Sequence, residues 1–268
     1  MSEKEENSVE IDNSIILDNN LNIITNLSKR QKRREIRRKK FLEIRQELRK
    51  NKKEKKRNEK KNNSVNGENI IKKQIFTMEQ SKCRINVVID MSFDELMNER
   101  TVRKTISQLA YCYATNRRTE NPFQFSIVNL NGKTKKIFDT YPSYSNWNVN
   151  IFNQSLNELW STEKIIYLTA DSDNLLETLN ENKIYVIGGL LDHNHYKGIC
   201  LKKAEENGFA HARLPIDSFI QLSGRKVLTI NQVFEILINF SQLSDWKNAF
   251  LNVIPKRKGI TEKIDITE

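Results

Sequence analysis

The sequence predicts a mostly parallel α/β domain with helices on both faces of its sheet, preceded by a basic helical extension. Short apolar runs typical of buried strands alternate along the chain with stretches in which apolar residues recur every three or four positions. Strands that alternate with helices build parallel sheets covered on both faces. The basic residues, in contrast, are concentrated ahead of this alternating region.

The alternating region begins with a predicted strand at residues 85–90, which carry a nearly continuous apolar run. Residues 93–118 have apolar side chains at helical spacing and are predicted to form a helix. Residues 125–130 supply the second strand, and Asn131 with Gly132 a turn. Residues 133–160 show no clear pattern.

A third strand is predicted at residues 164–170. Residues 171–173 are predicted to begin a helix, because their acidic side chains suit the positive end of a helix dipole. The next strand is expected at residues 184–190. A helix over residues 195–207 follows, and Gly208 is the residue type that commonly ends a helix.

Short strands at residues 212–216 and 226–230 and helices at residues 231–240 and 246–253 complete the pattern. We therefore divide the chain into four parts. They are a disordered N-terminal tail (1–28), a basic helical arm and linker (29–81), the α/β domain (82–257) and a C-terminal tail (258–268).

The charge of the chain is concentrated in the arm. The net charge is +11, but residues 29–61 contain 19 Lys or Arg against 5 Asp or Glu, a local net charge of +14, which leaves −3 for the rest. A near-neutral body with a strongly basic arm indicates a polyanionic partner, most simply a nucleic acid. A nuclear localisation signal and a solvated charged helix are alternative roles for this segment.

Several functional classes find no support in the sequence. No apolar run approaches the roughly 18 residues of a membrane helix, and the acidic N-terminus lacks the apolar segment of a secretory signal. We expect no membrane association and a cytoplasmic or nuclear location. Cys83, Cys112 and Cys200 are widely spaced and are expected to be reduced thiols, and neither a metal site nor a phosphate-binding glycine loop is expected.

Three predicted strand ends carry candidate binding residues, because ligands of open parallel sheets bind at the carboxyl ends of the strands. They are residues 168–171, residues 188–194, and Leu214 with residues 227–229. The paired glycines 188–189 would let a ligand approach the backbone and would permit a positive φ. From the pattern alone, the glycines are equally well explained as the residues that end a strand. The pattern alone favours Asp192 as the N-cap of the next helix.

Seven blocks of residues occur in an order and spacing found together in one known family. They comprise residues 90–93, 108–113 with 116–118, 167–171, 188–194 with Lys197, 213–216, 227–233 and 246–250. The blocks run from about Lys82 to about Arg257 and follow a basic arm. In these residues the chain resembles the eukaryotic tRNA position-9 guanine N1-methyltransferases, which belong to the SPOUT class.

The resemblance implies a monomeric enzyme that needs no metal, has a C-terminal trefoil knot, and uses S-adenosylmethionine to form N1-methylguanine at position 9 of tRNA. It places Asp192 at the target base. Because guanine N1 carries a proton that has to leave, we expect the Asp192 carboxylate to act as the general base. His193 stands where the family often has a more basic residue. The resemblance assigns the cofactor pocket to Leu168, Thr169, Gly189, His193, Asn194, Lys197, Cys200, Leu214, Val227, Leu228 and Thr229. The basic residues Arg103, Lys104, Arg117 and Arg118 are expected to contact the tRNA.

Alternatives stay open for both the function and single residues. The product could be N1-methyladenine, or both purines could be accepted, or the chain could be a non-catalytic tRNA-binding subunit of a tRNA-processing complex. Arg117 and Arg118 would also complement the dipole at a helix C-terminus. Cys200 would also suit a small core position.

Overall fold

The computed structural model describes residues 28–65, 74–192, 195–222, 227–255 and 258–262. The chain divides into two compact units, residues 1–72 and 73–268. The first unit contains one described helix, α1 (Lys29–Val65), where the sequence predicts a helix over residues 29–61. The described side chains of α1 are all exposed. The predicted tail at residues 1–28 lies outside the described residues except for Ser28.

The second unit is built on a six-stranded sheet in which all neighbouring strands are parallel. Strands β2 and β3 extend the sheet on one side of β1. The later strands β4, β5 and β6 lie on the other side, so the direction of strand addition reverses between β1 and β5. Open parallel sheets bind ligands outside the carboxyl ends of their strands. The strand order is β3-β2-β1-β5-β4-β6, with β1 Asn86–Asp90, β2 Gln124–Val128, β3 Asn150–Ile151, β4 Ile165–Leu168, β5 Ile184–Gly188 and β6 Ala210–Ala212.

Seven helices of the second unit connect and flank the strands within the described residues. A two-stranded antiparallel sheet of β7 (Ile220–Leu222) and β8 (Ile260–Glu262) lies apart from the main sheet. Among the helices that are described, we find none with enough length and apolar character to cross a membrane. The helices are α2 Glu99–Asn116, α3 Gly132–Phe138, α4 Leu156–Leu159, α5 Ile199–Glu206, α6 Ile216–Phe219, α7 Ile230–Leu243 and α8 Trp246–Val253.

The central strand β1 is buried on both faces, as its apolar run predicts. Val87 and Ile89 pack in one core cluster with residues of α2 and α7, and Val88 packs in another with residues of α4 and α5. All three side chains are fully buried. Helices on both faces of a parallel sheet require such burial. The predicted α/β class with helices on both faces is therefore confirmed.

The helix predicted at residues 93–118 is split in two. A 3-10 turn at Asp94–Leu96 comes first, and α2 begins only at Glu99. Asn98 explains the boundary, because its side-chain oxygen accepts a hydrogen bond from the Thr101 backbone N–H at 3.0 Å. Asparagine is among the preferred N-cap residues.

The helix predicted to begin at residues 171–173 is absent. The Ser172 hydroxyl lies 2.9 Å from His211 Nδ1, and the Arg213 guanidinium donates to the Ser172 carbonyl. Leu175 forms a parallel bridge with Arg213. These contacts hold the segment extended beside the end of β6, so tertiary contacts override the local helix signal.

Three other predicted boundaries are wrong. The strand predicted at residues 212–216 lies instead at β6, because Pro215 opens the turn into α6. Residues 227–229 form no strand, since Thr229 caps α7 through reciprocal hydrogen bonds with Gln232. The helix predicted from residue 195 begins at Ile199, after Gly198 at φ +72°, whereas Gly208 follows its end at φ +68° as predicted.

Both ends of the second unit differ from the predicted domain limits. Met78 is buried, and its backbone N–H donates to Asn148 Oδ1 at 2.7 Å. The packed structure therefore begins before residue 82. At the other end, where the sequence predicts a tail from residue 258, β8 pairs with β7.

The paired glycines at the end of β5 do not adopt the positive φ expected from the sequence. Gly189 is required for another reason. Its backbone N–H donates to the Asp90 carbonyl oxygen at 2.8 Å, and a Cβ placed on it would lie 2.7 Å from that same oxygen and against the Met91 sulfur. The close approach of the β5 and β1 ends thus excludes a side chain at residue 189.

We predict that Gly189→Ala lowers the free energy of unfolding by about 1–3 kcal/mol, the usual range for overpacking. Urea denaturation of both variants would measure this. Gly188→Ala is the matched control and should cost less, because its Cβ would meet the side chains of Cys200 and Phe93 instead of backbone. An unchanged midpoint for Gly189→Ala would contradict the proposed role of the close approach.

Candidate active site

A pocket of about 340 Å³ lies at the carboxyl ends of β4 and β5, beside the turn that follows β6. Its walls are mainly apolar, with a few polar and charged side chains among them. This is the composition of small-molecule sites in open parallel sheets. The lining residues are Gln108, Leu168, Thr169, Ala170, Ile187, Gly188, Leu190, Leu191, Asp192, Cys200, Arg213, Leu214, Ile216, Asp217, Val227, Leu228, Thr229, Ile230 and Val233.

The structure brings most of the predicted cofactor residues together around this pocket. Gly189 and Lys197 are outside its lining, although both belong to the segment that carries Asp192. His193 and Asn194 lie outside the described residues. The predicted residues that line the pocket are Leu168, Thr169, Cys200, Leu214, Val227, Leu228 and Thr229, together with Asp192. Their roles in binding stay predictions.

Three polar residues of the pocket were assigned no role from the sequence: Gln108, Arg213 and Asp217. Gln108 reaches the pocket from α2, and its Oε1 accepts a hydrogen bond from the Ile230 backbone N–H at 2.9 Å. This contact ties α2 to the first residue of α7. The signal in the sequence was that the polar Gln108 stands next to Leu109, which is buried in the structure.

Asp192 is half-buried in the pocket wall, in the segment between β5 and α5. Its Oδ2 accepts a hydrogen bond from the Tyr196 backbone N–H at 2.8 Å, and its carbonyl accepts one from His195 at 3.2 Å. The N-cap position of α5 belongs to Gly198. The alternative that Asp192 is the N-cap of this helix is therefore wrong, and the carboxylate instead closes a turn beside the pocket.

Cys200 lies where α5 meets the pocket and packs closely against Gly188. Burial first, and then the carboxylates of Asp90 and Asp192, together raise the pKa of the Cys200 thiol to about 12. A thiol with this pKa stays protonated at neutral pH. Cys200 therefore contributes packing surface and no nucleophile.

Below the pocket, the buried carboxylate of Asp90 at the end of β1 is fully partnered. Its Oδ2 accepts from Tyr167 Oη at 2.9 Å and lies 2.9 Å from Lys203 Nζ. Its Oδ1 accepts from Asn129 Nδ2 at 2.7 Å and from the Ser92 N–H at 3.1 Å. Burial and the nearby carboxylate raise the pKa of Tyr167 well above its usual value. The network joins β1, β4, α5 and the end of β2.

The four predicted RNA-contacting residues all lie on α2 or directly after it. Arg103 and Lys104 are exposed near its N-terminus, with Arg103 Nη2 3.9 Å from Glu99 Oε2. The Arg117 guanidinium lies 5.2 Å from the Tyr113 ring centroid. Arg118 Nε donates to the Ala114 carbonyl at 2.6 Å, so it also stabilises the helix end.

A second cleft, of about 450 Å³, lies near the amino end of β1 and is lined by residues such as Ile85, Thr178 and Asp245. None of the predicted site residues lines it. Among the described residues, no group of three or more His, Cys, Asp or Glu side chains is arranged to hold a metal ion.

Comparisons with known proteins agree with this geometry. A family model described as tRNA (guanine(9)-N(1))-methyltransferase TRM10/TRM10A matches residues 25–259. The tRNA (guanine(9)-N1)-methyltransferase of Schizosaccharomyces pombe is 39% identical over 244 residues, which are 88% of this chain and 76% of that protein. The Homo sapiens tRNA methyltransferase 10 homolog A is 43% identical over 177 residues, which are 65% of this chain and 52% of that protein.

Solved structures are similar as well. The crystal structure of spTrm10(74) is 38% identical, has a TM-score of 0.62, and covers 68% of this chain and 99% of that one. The complex of full-length spTrm10 with SAH is 38% identical, has a TM-score of 0.61, and covers 67% and 99%. The present chain spans about half the length of the vertebrate relatives it matches.

The parallel sheet and its similarity to these solved structures place the second unit in the SPOUT fold class. The chain belongs to the family described as tRNA (guanine(9)-N(1))-methyltransferase TRM10/TRM10A. The resemblance inferred from the seven sequence blocks is confirmed. The trefoil knot stays a prediction, because residues 193–194 and 223–226 lie outside the described residues.

We predict that Lys203→Met lowers the free energy of unfolding by about 3 kcal/mol, because removing one partner of a buried ion pair leaves the other uncompensated. Lys202→Met is the matched control. Lys202 is 74% exposed and pairs with Glu206 at 3.6 Å, so it should change stability by less than about 1 kcal/mol. Equal urea midpoints for the two variants would contradict a structural role for the Asp90–Lys203 pair.

The raised pKa of Cys200 predicts how its alkylation depends on pH. Because the thiolate is the reactive form, the iodoacetamide rate at Cys200 should rise about tenfold per pH unit up to pH 10 without a plateau. Mass spectrometry of peptides would follow each cysteine separately, with the half-buried Cys83 as the faster internal reference. A plateau for Cys200 near pH 8.5 would show that its environment does not suppress ionisation.

Proposed function

We propose that this protein is an S-adenosylmethionine-dependent tRNA methyltransferase that forms N1-methylguanine at position 9. The observation that carries the proposal is the pocket at the carboxyl edge of the sheet, where Asp192 and most of the predicted cofactor residues converge. Relatives that carry this activity in their names, and a similar structure with bound S-adenosylhomocysteine (SAH), support it.

The residues of the pocket fit S-adenosylmethionine. Leu168, Leu214 and Leu228 offer apolar surface to an adenine ring, and the charged side chains of Arg213 and Asp217 offer partners to polar groups of the ligand. When bound, the cofactor supplies an electrophilic methyl group. The protein then has to hold guanine N1 beside that group and exclude water.

Asp192 is proposed to remove the proton of guanine N1. This nitrogen carries a proton and its lone pair is delocalised, so methyl transfer requires that the proton leave. A carboxylate in the pocket wall can accept it directly or through one water molecule. The hydrogen bond from the Tyr196 N–H to Oδ2 orients the carboxylate.

The substrate tRNA is proposed to bind to the basic arm and to the face that bears Arg103, Lys104, Arg117 and Arg118. Position 9 lies inside the tRNA core, so its base has to turn outward to reach the pocket. Contacts between basic side chains and phosphates offset the cost of unstacking the base. We further propose that the protein acts as a monomer, without a metal, in the cytoplasm or nucleus.

Mass spectrometry of nucleosides tests this function. The purified chain is incubated with S-adenosylmethionine and two tRNA transcripts that differ only in guanine or adenine at position 9. We expect N1-methylguanine from the first transcript and no methylated purine from the second. Formation of N1-methyladenine would instead assign adenine or dual specificity, and tRNA binding without any methylation would assign a non-catalytic subunit.

We predict that Asp192→Asn slows single-turnover methylation of guanine-9 by about 10²-fold or more, the scale typical of losing a general base. The remaining rate should keep rising with pH, as hydroxide or the ionisation of guanine replaces the carboxylate. Cofactor and tRNA affinities should change little. Asp173→Asn, an exposed acid outside the pocket lining, is the control and should keep the full rate. A variant at residue 192 with the wild-type rate and pH profile would exclude Asp192 as the base.

A further inference from the structure

Four aromatic rings form a continuous stack at the surface of the second unit. Tyr141 stacks on Tyr144 at 4.9 Å between ring centroids, Tyr144 contacts Trp147 at 4.1 Å, and Trp147 stacks on Tyr113 at 4.8 Å. The Arg117 guanidinium lies over the Tyr113 ring and ends the stack on that side. Tyr141 stands at the other end.

The stack is held in place by the core. The buried Phe138 contacts the Tyr144 ring at 5.2 Å and sets its edge against Trp147 at 5.8 Å. All four stacked rings are half-buried. The rings are thus held in place before a ligand binds. A flat group that stacks on them therefore binds with little loss of side-chain conformational entropy.

Tyr141, the free end of this stack, lines an open groove along α2. The other lining residues are Glu99, Arg100, Arg103, Lys104 and Ser107. The groove is lined by three cationic side chains and one acidic side chain, so its net charge is positive. The acidic residue, Glu99, forms an ion pair with Arg103. An aromatic ring beside clustered Lys and Arg side chains is the arrangement that binds single-stranded nucleic acid, through base stacking and phosphate contacts.

The groove and the pocket share α2. Lys104 lines the groove, and Gln108, one helical turn further along the same face, lines the pocket. A polynucleotide that places one base in the pocket can therefore reach the groove with a neighbouring nucleotide.

We propose that this groove is a subsite for an unpaired nucleotide next to the target purine, whose base stacks on Tyr141 and whose phosphate contacts Arg103 or Lys104. The inference rests on the proposed function, because it names a contact of the same tRNA substrate. The stack and the cations make separable contributions. Stacking carries no net charge, whereas each phosphate contact adds to the salt dependence of binding.

The test compares the binding of guanine-9 tRNA to full-length variants over a range of salt concentrations. Tyr141→Leu should weaken binding about tenfold at every salt concentration, because base stacking is lost while phosphate contacts stay. Tyr141→Phe keeps the ring and should bind within about twofold of wild type. Lys104→Ala should lower the slope of log affinity against log salt by about 0.7 to 0.9, the value for one phosphate contact.

Arg84→Ala is the matched charge control. Arg84 is exposed just before β1, at the amino edge of the sheet, whereas the pocket lies at the carboxyl edge. It should leave both affinity and slope unchanged. SAH binding by calorimetry and thermal melting verify that each variant is folded. Wild-type affinity for Tyr141→Leu, or equal losses for the Leu and Phe variants, would overturn the subsite. Methylation by the wild-type protein in the same experiment would leave the proposed function standing, whereas a wild-type chain that binds no tRNA would overturn both.

Discussion

The negative charge of a carboxylate buried in the centre of a sheet has to be balanced by nearby donors. The contacts that balance the charge of Asp90 also hold the residues around the pocket in place. Its backbone carbonyl accepts from the Gly189 N–H at the end of β5, while its carboxylate pairs with Lys203 on α5. The segment between these two contacts carries Asp192. Both ends of that segment are therefore tied to one residue of the central strand. An unpaired charge at this depth would cost several kcal/mol, so the arrangement of the segment and the stability of the sheet depend on each other.

At the carboxyl edge of the sheet, different elements supply different parts of the pocket. Strands β4 and β5 end in apolar walls, α2 and α7 meet through Gln108, and the segment after β5 holds a carboxylate turned by the Tyr196 N–H. Since S-adenosylmethionine would bring its own reactive methyl group, the protein would need only to position a base, accept a proton and exclude water. A pocket wall with an oriented carboxylate suits those tasks, and the protonated Cys200 adds no competing nucleophile.

An element could be predicted from the sequence where local interactions determine its conformation, and could not where contacts with distant residues determine it. Strands β1 and β5 are buried on both faces, so their apolar runs predicted them to within two residues. Residues 171–173 were mispredicted because a distant polar contact, from Arg213 to the Ser172 carbonyl, decides their conformation. At residues 227–229 a local signal overrides the apolar run, because Thr229 and Gln232 form a capping box at the start of α7. For the site, the resemblance named eight of the nineteen residues that line the pocket. The anchoring of the Asp192 segment on Asp90 depends on a lysine 113 positions away, a contact that no local pattern contains.

The most direct test of this account is amide hydrogen exchange of the full-length protein with and without SAH, followed by mass spectrometry of peptides. The account predicts slower exchange at residues 168–171, 187–192, 213–217 and 227–233, which surround the pocket. Exchange should be unchanged at residues 177–179 and 240–246, which line the cleft near the amino end of β1. Protection at that cleft, or no protection around the pocket at saturating SAH, would contradict the placement of the cofactor at the carboxyl edge of the sheet.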